Sequence, residues 1–243
     1  MSTSTAPTID STTVLSLFAV LVLLTVAYTA SLSLLPPNTT RTLRALYIWH
    51  VFDSLIHLLF EGSYLYNCFC SSASASLARI PTFLPIGASF LNQADLVYGA
   101  EYGTGATGAL WREYARADKR WAGTDLTVIS LEVLTVFIGG PLAFYVSEII
   151  RRGDGQGRGK QAGKLWFWAM VLATGELYGG FLTFMPEWLT GSVNLSTEHW
   201  MHLWVYLVFF NTLWVWIPLW VLVVAYKRIG EAFGGDPRGK KRV

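Results

Sequence analysis

The chain has 243 residues, of which 53% are hydrophobic and only 14% are charged. Soluble domains carry roughly 25% charged residues, so this composition is typical of a membrane protein. The formal net charge of +2 is too small to indicate a nucleic-acid partner, and two cysteines are too few for a disulfide framework or a zinc site.

The first predicted span covers residues 14–35. Residues 1–12 contain no Lys or Arg and so lack the basic region of a cleaved signal peptide. We therefore expect a short luminal tail, followed by a span that stays in the protein. The apolar run is about as long as the roughly 20 residues that a spanning helix needs, and Pro36 and Pro37 are expected to end it.

The second predicted span, residues 47–66, carries three ionisable side chains in an apolar setting. Asp53, His57 and Glu61 are spaced four residues apart, which places them in one row along a helix. Ionisable groups at membrane depth are costly and usually face a cavity or a partner. We interpret this row as one wall of an active site.

Residues 68–107 have no helical period and predict a long loop. Residues 108–124 are charged and aromatic, and they predict a helix outside the bilayer. Thr124 or Asp125 is expected to cap the third span at residues 126–150, which holds Glu132.

The fourth predicted span, residues 165–185, contains Glu176 and Tyr178, and Pro186 is expected to close it. The fifth, residues 201–226, contains Asn211 and Trp214 one helical turn apart. We therefore predict an all-α, five-helix transmembrane bundle, with one membrane domain at residues 13–228 and a basic tail at residues 229–243.

Basic residues predict the orientation, because cytosolic loops are enriched in Lys and Arg. Lys240 and Lys241, near the end of the chain, resemble the dilysine retrieval signal of endoplasmic reticulum membrane proteins, which must face the cytosol. We expect Asn38 to be cytosolic and the glycosylation sequon at Asn194 to be luminal. The basic residues that fall on the cytosolic side are Arg41, Arg44, Arg151, Arg152, Arg158, Lys160, Lys164, Lys227 and Arg228.

The polar residues inside the spans form an acid/base set. An apolar cavity favours the neutral form of a carboxyl group, which can then hold a proton at neutral pH, and the face of Trp214 can stabilise a cation. This combination suits protonation of an alkene, a transient carbocation and loss of a different proton. It predicts double-bond isomerisation of a sterol or similar apolar lipid, with membrane lipid around the protein and no metal site. The residues are His57, Glu61, Glu132, Asn211 and Trp214 for catalysis, and Thr135, Glu176 and Tyr178 for substrate binding.

Each element also has a purely structural interpretation. A membrane histidine can serve only as a hydrogen-bonding group, Asn211 can link helices, and Thr135 can bond its own backbone carbonyl. His199 and His202 with Glu198 could bind a metal, but they lie at the edge of a span among aromatic residues. Two glutamates on separate spans, Glu61 and Glu132, favour function over structure.

Several segments together resemble the emopamil-binding protein family, the sterol Δ8-Δ7 isomerases that share the EXPERA domain. The resemblance runs in order from about residue 43 to residue 228. It implies a five-helix membrane bundle, cofactor-free isomerisation through a C8 cation, and a possible homodimer. The matching segments are HLLFEG at 57–62, LWREYARADKRW at 110–121, Glu132 with Thr135 and GGPLAF, and FFNTLWVWIP at 209–218.

The resemblance also implies residue roles. Glu132 and Glu61 would handle protons, His57 would shuttle protons or orient Glu61, and Trp214 with Asn211 would support the cation and the cavity. This places Thr135 in the active site as well.

Two positions depart from the family pattern, because Gly180 stands where an Asp is expected and Glu176 replaces a Gln. Three hypotheses follow: a sterol isomerase, a non-catalytic sterol or amine-ligand binding protein of the same fold, and an isomerase or cyclase acting on another terpenoid.

Overall fold

Five long helices dominate the computed structural model, which describes residues 9–157 and 161–233. All five are long and apolar enough to cross a membrane, and the described residues are mostly helical with almost no strand, as the predicted all-α class requires. We call them the first to fifth spans in chain order. They are Ser11–Leu34, Arg41–Cys70, Leu126–Arg151, Ala162–Leu189 and Met201–Phe233.

Short polar side chains cap the N-termini of three of the spans. Asp10 accepts a hydrogen bond from the backbone N–H of Thr13, at 3.0 Å, and Thr40 accepts one from Leu43. Asp125 accepts one from the N–H of Val128 at 2.9 Å, so the predicted cap of the third span is confirmed. These caps satisfy backbone donors that have no partner within the helix.

Three spans contain π-helical segments, in which the extra residue per turn changes the direction of the side chains that follow. They occupy Ile56–Glu61, Thr135–Gly139 and Met201–Phe210. Such segments are rare and are frequently found at functional sites. Here they hold His57 and Glu61, and the third segment leads directly into Asn211.

The second and third spans approach each other closely at Gly140. A Cβ atom at this position would lie 3.0 Å from Leu58 Cγ and 3.1 Å from His57 Cβ. These distances are shorter than ordinary van der Waals contacts, so any side chain at this position would push Leu58 and His57 away by a few tenths of an ångström. Gly140 therefore allows the third span to come this near to His57.

The predicted loop between the second and third spans contains a small antiparallel sheet, with Ser72–Ser74 paired to Leu96–Tyr98. The helix that follows is Ala106–Tyr114, shorter than the predicted 108–124. It ends early because Asp118 accepts hydrogen bonds from the backbone N–H of Arg120, at 3.1 Å, and from its guanidinium, which favours a turn over a continued helix.

The fourth span continues past Pro186 to Leu189, so the prediction that Pro186 closes this helix is wrong. A proline removes one backbone hydrogen bond, and membrane helices tolerate it where a neighbour supplies another donor. The carbonyl that loses its donor is that of Leu182, and Arg120 Nη1 donates to the adjacent carbonyl, that of Thr183, at 2.9 Å.

Three sequence-based predictions fall wholly or partly outside the described residues. The dilysine pair, Lys240 and Lys241, lies there, as do most of the predicted N-terminal tail and part of the basic linker between the third and fourth spans.

Candidate active site

A cavity of about 500 Å³ lies among the spans, and most of its lining is apolar. All five spans contribute to its wall, together with Trp111 and Tyr114 of the short helix and Trp121 of the following turn. A volume of this size is typical of small-molecule sites. The structure places every predicted site residue on this wall: His57, Glu61, Glu132, Thr135, Glu176, Tyr178, Asn211 and Trp214.

His57 lies between two carboxyl groups of its own helix. Its Nδ1 is 2.5 Å from Glu61 Oε2, and its Nε2 is 3.0 Å from Asp53 Oδ1. The imidazole is 3% exposed, so these contacts are shielded from water. Because both ring nitrogens are engaged, the orientation of the imidazole is fixed and a proton can pass between the two carboxyl groups through it.

Glu132 brings a carboxyl group from the third span against that of Glu61. Thr135 Oγ1 donates to Glu132 Oε2 at 3.0 Å and also lies 3.1 Å from the backbone carbonyl of Glu132. Thr135 thus bonds both its own helix and the carboxyl group that it orients. Glu132 is buried and the side chain of Glu61 is 14% exposed. Two carboxyl groups in contact in an apolar cavity can hold a proton between them.

Asp53 is a site residue that the sequence analysis placed in the polar row but to which it assigned no role. It is fully buried, and its Oδ1 accepts a hydrogen bond of 2.8 Å from Trp214 Nε1, on the fifth span. The four-residue spacing to His57 was a usable signal, but the pairing with Trp214 joins residues far apart in the sequence. Asp53 therefore links His57 to the aromatic wall.

The indole of Trp214 is packed by other rings. Its ring centroid lies 5.4 Å from that of Trp49, 6.3 Å from Phe52 and 6.3 Å from His57. Packing on one side and the hydrogen bond to Asp53 on the other hold the indole in place. A fixed aromatic face at the cavity wall can stabilise a positive charge in a bound lipid.

Glu176 adds a further carboxyl group, from the fourth span. One of its oxygens lies within 4.8 Å of ligand-type atoms of both Asp53 and His57. These three side chains are of the types that bind metals, but both nitrogens of His57 already contact carboxyl groups. The other candidate metal set from the sequence consists of Glu198, His199 and His202. There, His202 Nδ1 lies 3.1 Å from Ser196 Oγ, so this nitrogen is engaged in a hydrogen bond.

Asn211 supports the cavity through hydrogen bonds to other residues. Its Nδ2 donates to Tyr114 Oη at 3.0 Å and to the backbone carbonyl of Tyr206 at 2.8 Å. Burial raises the pKa of Tyr114 above its usual range, so the phenol stays protonated. Asn211 therefore ties the fifth span to the short helix before the third span.

Stacked aromatic residues form the part of the wall that the sequence analysis did not identify. Trp111 and Trp121 stack at a centroid distance of 4.8 Å and an interplanar angle of 10°, and Tyr114 packs edge-on against both. Their motif was visible in the sequence, but nothing in its spacing indicated that it folds over the cavity.

Tyr178 lies on the outer part of the cavity wall, and 68% of its surface is exposed. Its neighbours Gly175 and Gly179 also line the cavity, and a Cβ atom at either position would meet nothing within 4 Å. The fourth span therefore offers a wall without side chains beside Tyr178, which leaves room for a bulky ligand.

The family model described as EXPERA (EXPanded EBP superfamily) matches residues 106–225. A mouse protein named 3-beta-hydroxysteroid-Delta(8),Delta(7)-isomerase is 29% identical over 51% of this chain and 50% of its own length. A guinea pig protein of the same name is 31% identical over 45% of this chain and 44% of its own length. The matches thus span about half the length of these two relatives.

A plant relative has a different name. The protoglabretal synthase of Ailanthus altissima is 23% identical over 79% of this chain and 71% of its own length.

Proposed function

From the membership of this chain in the emopamil-binding protein family, we propose that it is an isomerase that moves a carbon–carbon double bond within a sterol. The finer proposal is 3-beta-hydroxysteroid Δ8-Δ7 isomerisation, the activity for which the mouse and guinea pig relatives are named. The observation that carries the proposal is the pair of carboxyl groups formed by the buried Glu132 and the partly buried Glu61, joined to His57 inside an apolar cavity.

The reaction adds a proton to one carbon of the alkene and removes another from a neighbouring position. We assign this proton exchange to Glu132 and Glu61, with His57 as the shuttle that orients Glu61. Positioned acid/base groups of this kind contribute roughly 10²- to 10⁴-fold to a rate. Thr135 keeps Glu132 in place through its 3.0 Å hydrogen bond.

The carbocation between the two proton transfers needs stabilisation without water. The face of Trp214 supplies it, and the aromatic and aliphatic side chains around the cavity keep water from capturing the cation. Asn211 contributes indirectly, because its hydrogen bonds to Tyr114 and Tyr206 hold the cavity wall together. Binding of the lipid rests on the apolar wall, including the space beside Tyr178.

Complementation tests the proposal. The full chain is expressed in a yeast strain that lacks its own Δ8-Δ7 isomerase, and the sterols are profiled by gas chromatography with mass detection. We expect Δ7 sterols with the wild type and a loss of at least about 100-fold with Glu132→Gln, which keeps the shape of the side chain but cannot exchange a carboxyl proton.

Glu148→Gln is the matched control, because Glu148 lies in the same span, outside the cavity wall, and pairs with Arg151 and Arg152. It should behave as the wild type. Persistence of Δ8 sterols although wild-type protein is present in the membrane would reject the sterol assignment.

A second candidate function is isomerisation or cyclisation of another terpenoid. Two observations favour it: the Ailanthus relative is named a terpenoid synthase, and the fourth-span wall carries Glu176 and Gly180 in place of the residues expected from the family. The same cation chemistry would serve it. The third hypothesis, a non-catalytic binder, fits less well because the acid/base set is complete.

We also propose that the protein resides in the endoplasmic reticulum membrane with its C-terminus in the cytosol. The proposal rests on the sequence of the tail, with Lys240 and Lys241, and on the distribution of basic residues between the spans.

A further inference from the structure

The fourth span places a second carboxyl pair at the cavity, on the side of His57 away from Glu61. Glu176 lines the cavity and Asp53 lies behind it, fully buried. Apart from each other, Asp53 Oδ2 and both oxygens of Glu176 have no hydrogen-bond partner among the described residues. Oxygens buried without partners are costly, so this arrangement calls for a function.

Two carboxyl groups buried this close together cannot both be ionised, so the pair keeps one proton. Asp53 is the favoured site of the negative charge, because its Oδ1 accepts from Trp214 Nε1 at 2.8 Å and lies 3.0 Å from His57 Nε2. Glu176 has no such donors among the described residues. The proton therefore belongs on Glu176, which faces the cavity.

We propose that Glu176 is a second catalytic acid of this chain, which delivers the proton to the bound alkene, and that Asp53 is the positioning residue that keeps it protonated. This inference rests on the proposed function and moves one of its two proton transfers: the alkene receives its proton from Glu176, on the fourth span, and not from the Glu61 and Glu132 pair. The Glu61 and Glu132 pair receives the proton that the lipid loses, and His57 connects the two pairs.

The cycle balances without an oxidant or a further reactant. The O–H bond of Glu176 breaks while the π electrons of the alkene form a new C–H bond and leave a carbocation. The proton that His57 Nε2 shares with Asp53 passes to Asp53 at the same time, so the carboxyl pair still keeps one proton. A neighbouring C–H bond then breaks, its electron pair forms the new double bond, and its proton goes to Glu61. Transfer through His57 and Asp53 returns one proton to Glu176.

Kinetics and infrared spectroscopy of Glu176→Gln test the proposal on the full chain in detergent. Gln keeps the shape of the wall and can donate to Asp53, but it cannot give a proton to carbon. We expect the kcat for a Δ8 sterol to fall by at least about 100-fold while KM changes less than about threefold. We also expect one protonated-carboxyl C=O stretching component to disappear from the infrared spectrum.

Glu148→Gln is again the control and should alter neither kcat nor that component, because Glu148 pairs with two arginines. Asp53→Asn is the second variant. It removes the negative charge that helps to keep Glu176 protonated, but it leaves Glu176 buried, and burial also disfavours the ionised form. The component should therefore shift in frequency and not disappear. If Glu176→Gln does not fold, this shift still shows whether the protonated carboxyl group lies next to Asp53; an unchanged frequency would refute the assignment of the proton to Glu176.

The outcomes separate this inference from the proposed function. An active wild type with a Glu176→Gln variant of equal kcat would overturn the catalytic role of Glu176. A wild type without sterol isomerase activity would overturn the proposed function alone, and the infrared component would then decide the inference: its persistence in Glu176→Gln would refute the assignment of the proton.

Discussion

Trp214 combines two properties in one side chain, an aromatic face on the cavity and an N–H group that binds Asp53 at 2.8 Å. The first would stabilise a cation in the lipid, whereas the second holds the carboxyl group beside His57. A hydrogen bond to a charged group contributes about 1.5–3 kcal/mol, and a desolvated cation–π contact contributes about 2 kcal/mol. Different substitutions can therefore separate the two contributions.

Trp214→Phe keeps an aromatic face but loses the N–H donor, and Trp214→Leu loses both. We expect kcat for a Δ8 sterol to fall about tenfold in the first variant, from the lost hydrogen bond, and about a further 30-fold in the second, from the lost cation–π contact. Trp49→Phe is the control, because Trp49 packs against Trp214 but does not line the cavity. Equal rates for the Phe and Leu variants would argue against cation stabilisation by this ring.

At the scale of the helices, the position of His57 depends on the contact between the second and third spans. The π-helical segments of these spans lie at this contact, and Gly140 leaves no room for a side chain against His57 and Leu58. His57 cannot shift to make room without changing its contacts of 2.5 Å and 3.0 Å with the two carboxyl groups. A small change in the third span should therefore disturb the chemistry.

Gly140→Ala tests this dependence, since the added methyl group would lie 3.0–3.1 Å from its neighbours. We expect a lower melting temperature in detergent and a several-fold lower kcat. Gly163→Ala is the matched control, because a Cβ atom there meets nothing within 4 Å and alanine favours a helix over glycine. Similar melting temperatures and rates for the two variants would show that the contact is less tight than the structure indicates.

At the scale of the whole molecule, the segment between the second and third spans connects other spans of the bundle to one another, in addition to forming part of the cavity wall. Glu113 of the short helix is buried and accepts hydrogen bonds from Thr13, in the first span, at 2.8 Å and from Tyr206, in the fifth, at 2.9 Å. Arg120, in the same segment, pairs with Asp118 and donates a hydrogen bond to the backbone carbonyl of Thr183 in the fourth span. This segment therefore lies on the same side of the bundle as the start of the first span and Cys70.

Cysteine labelling tests the predicted orientation. Cys70 is exposed at the end of the second span and Cys68 is buried, so a membrane-impermeant maleimide should react with Cys70 alone. With the N-terminal side in the lumen, Cys70 should be protected in sealed microsomes and labelled after permeabilisation. Cys70→Ser controls for background labelling. Labelling of Cys70 in intact microsomes would show that the orientation is the opposite of the predicted one. Asn194 is a poorer reporter, because its side chain donates to the buried Glu187 at 2.8 Å.

The sequence by itself determined the class of the protein and the five spans, and it narrowed the cap of the third span to Thr124 or Asp125, because the length of an apolar run and the type of residue that caps a helix are local properties. The structure selects Asp125. It also identified the polar row on the second span and the other polar residues inside the spans. These residues are recognisable because ionisable and amide groups are rare at membrane depth.

Only the tertiary structure decided how these residues meet. The bond from Trp214 to Asp53 and the approach of Glu176 join different spans, and no spacing along the chain encodes them. The fourth span continues through Pro186 next to Arg120, a residue far away in the sequence, and no local signal indicated this continuation or the π-helical segments. Local sequence limits which side chains are available, whereas packing between spans determines which of them share a proton.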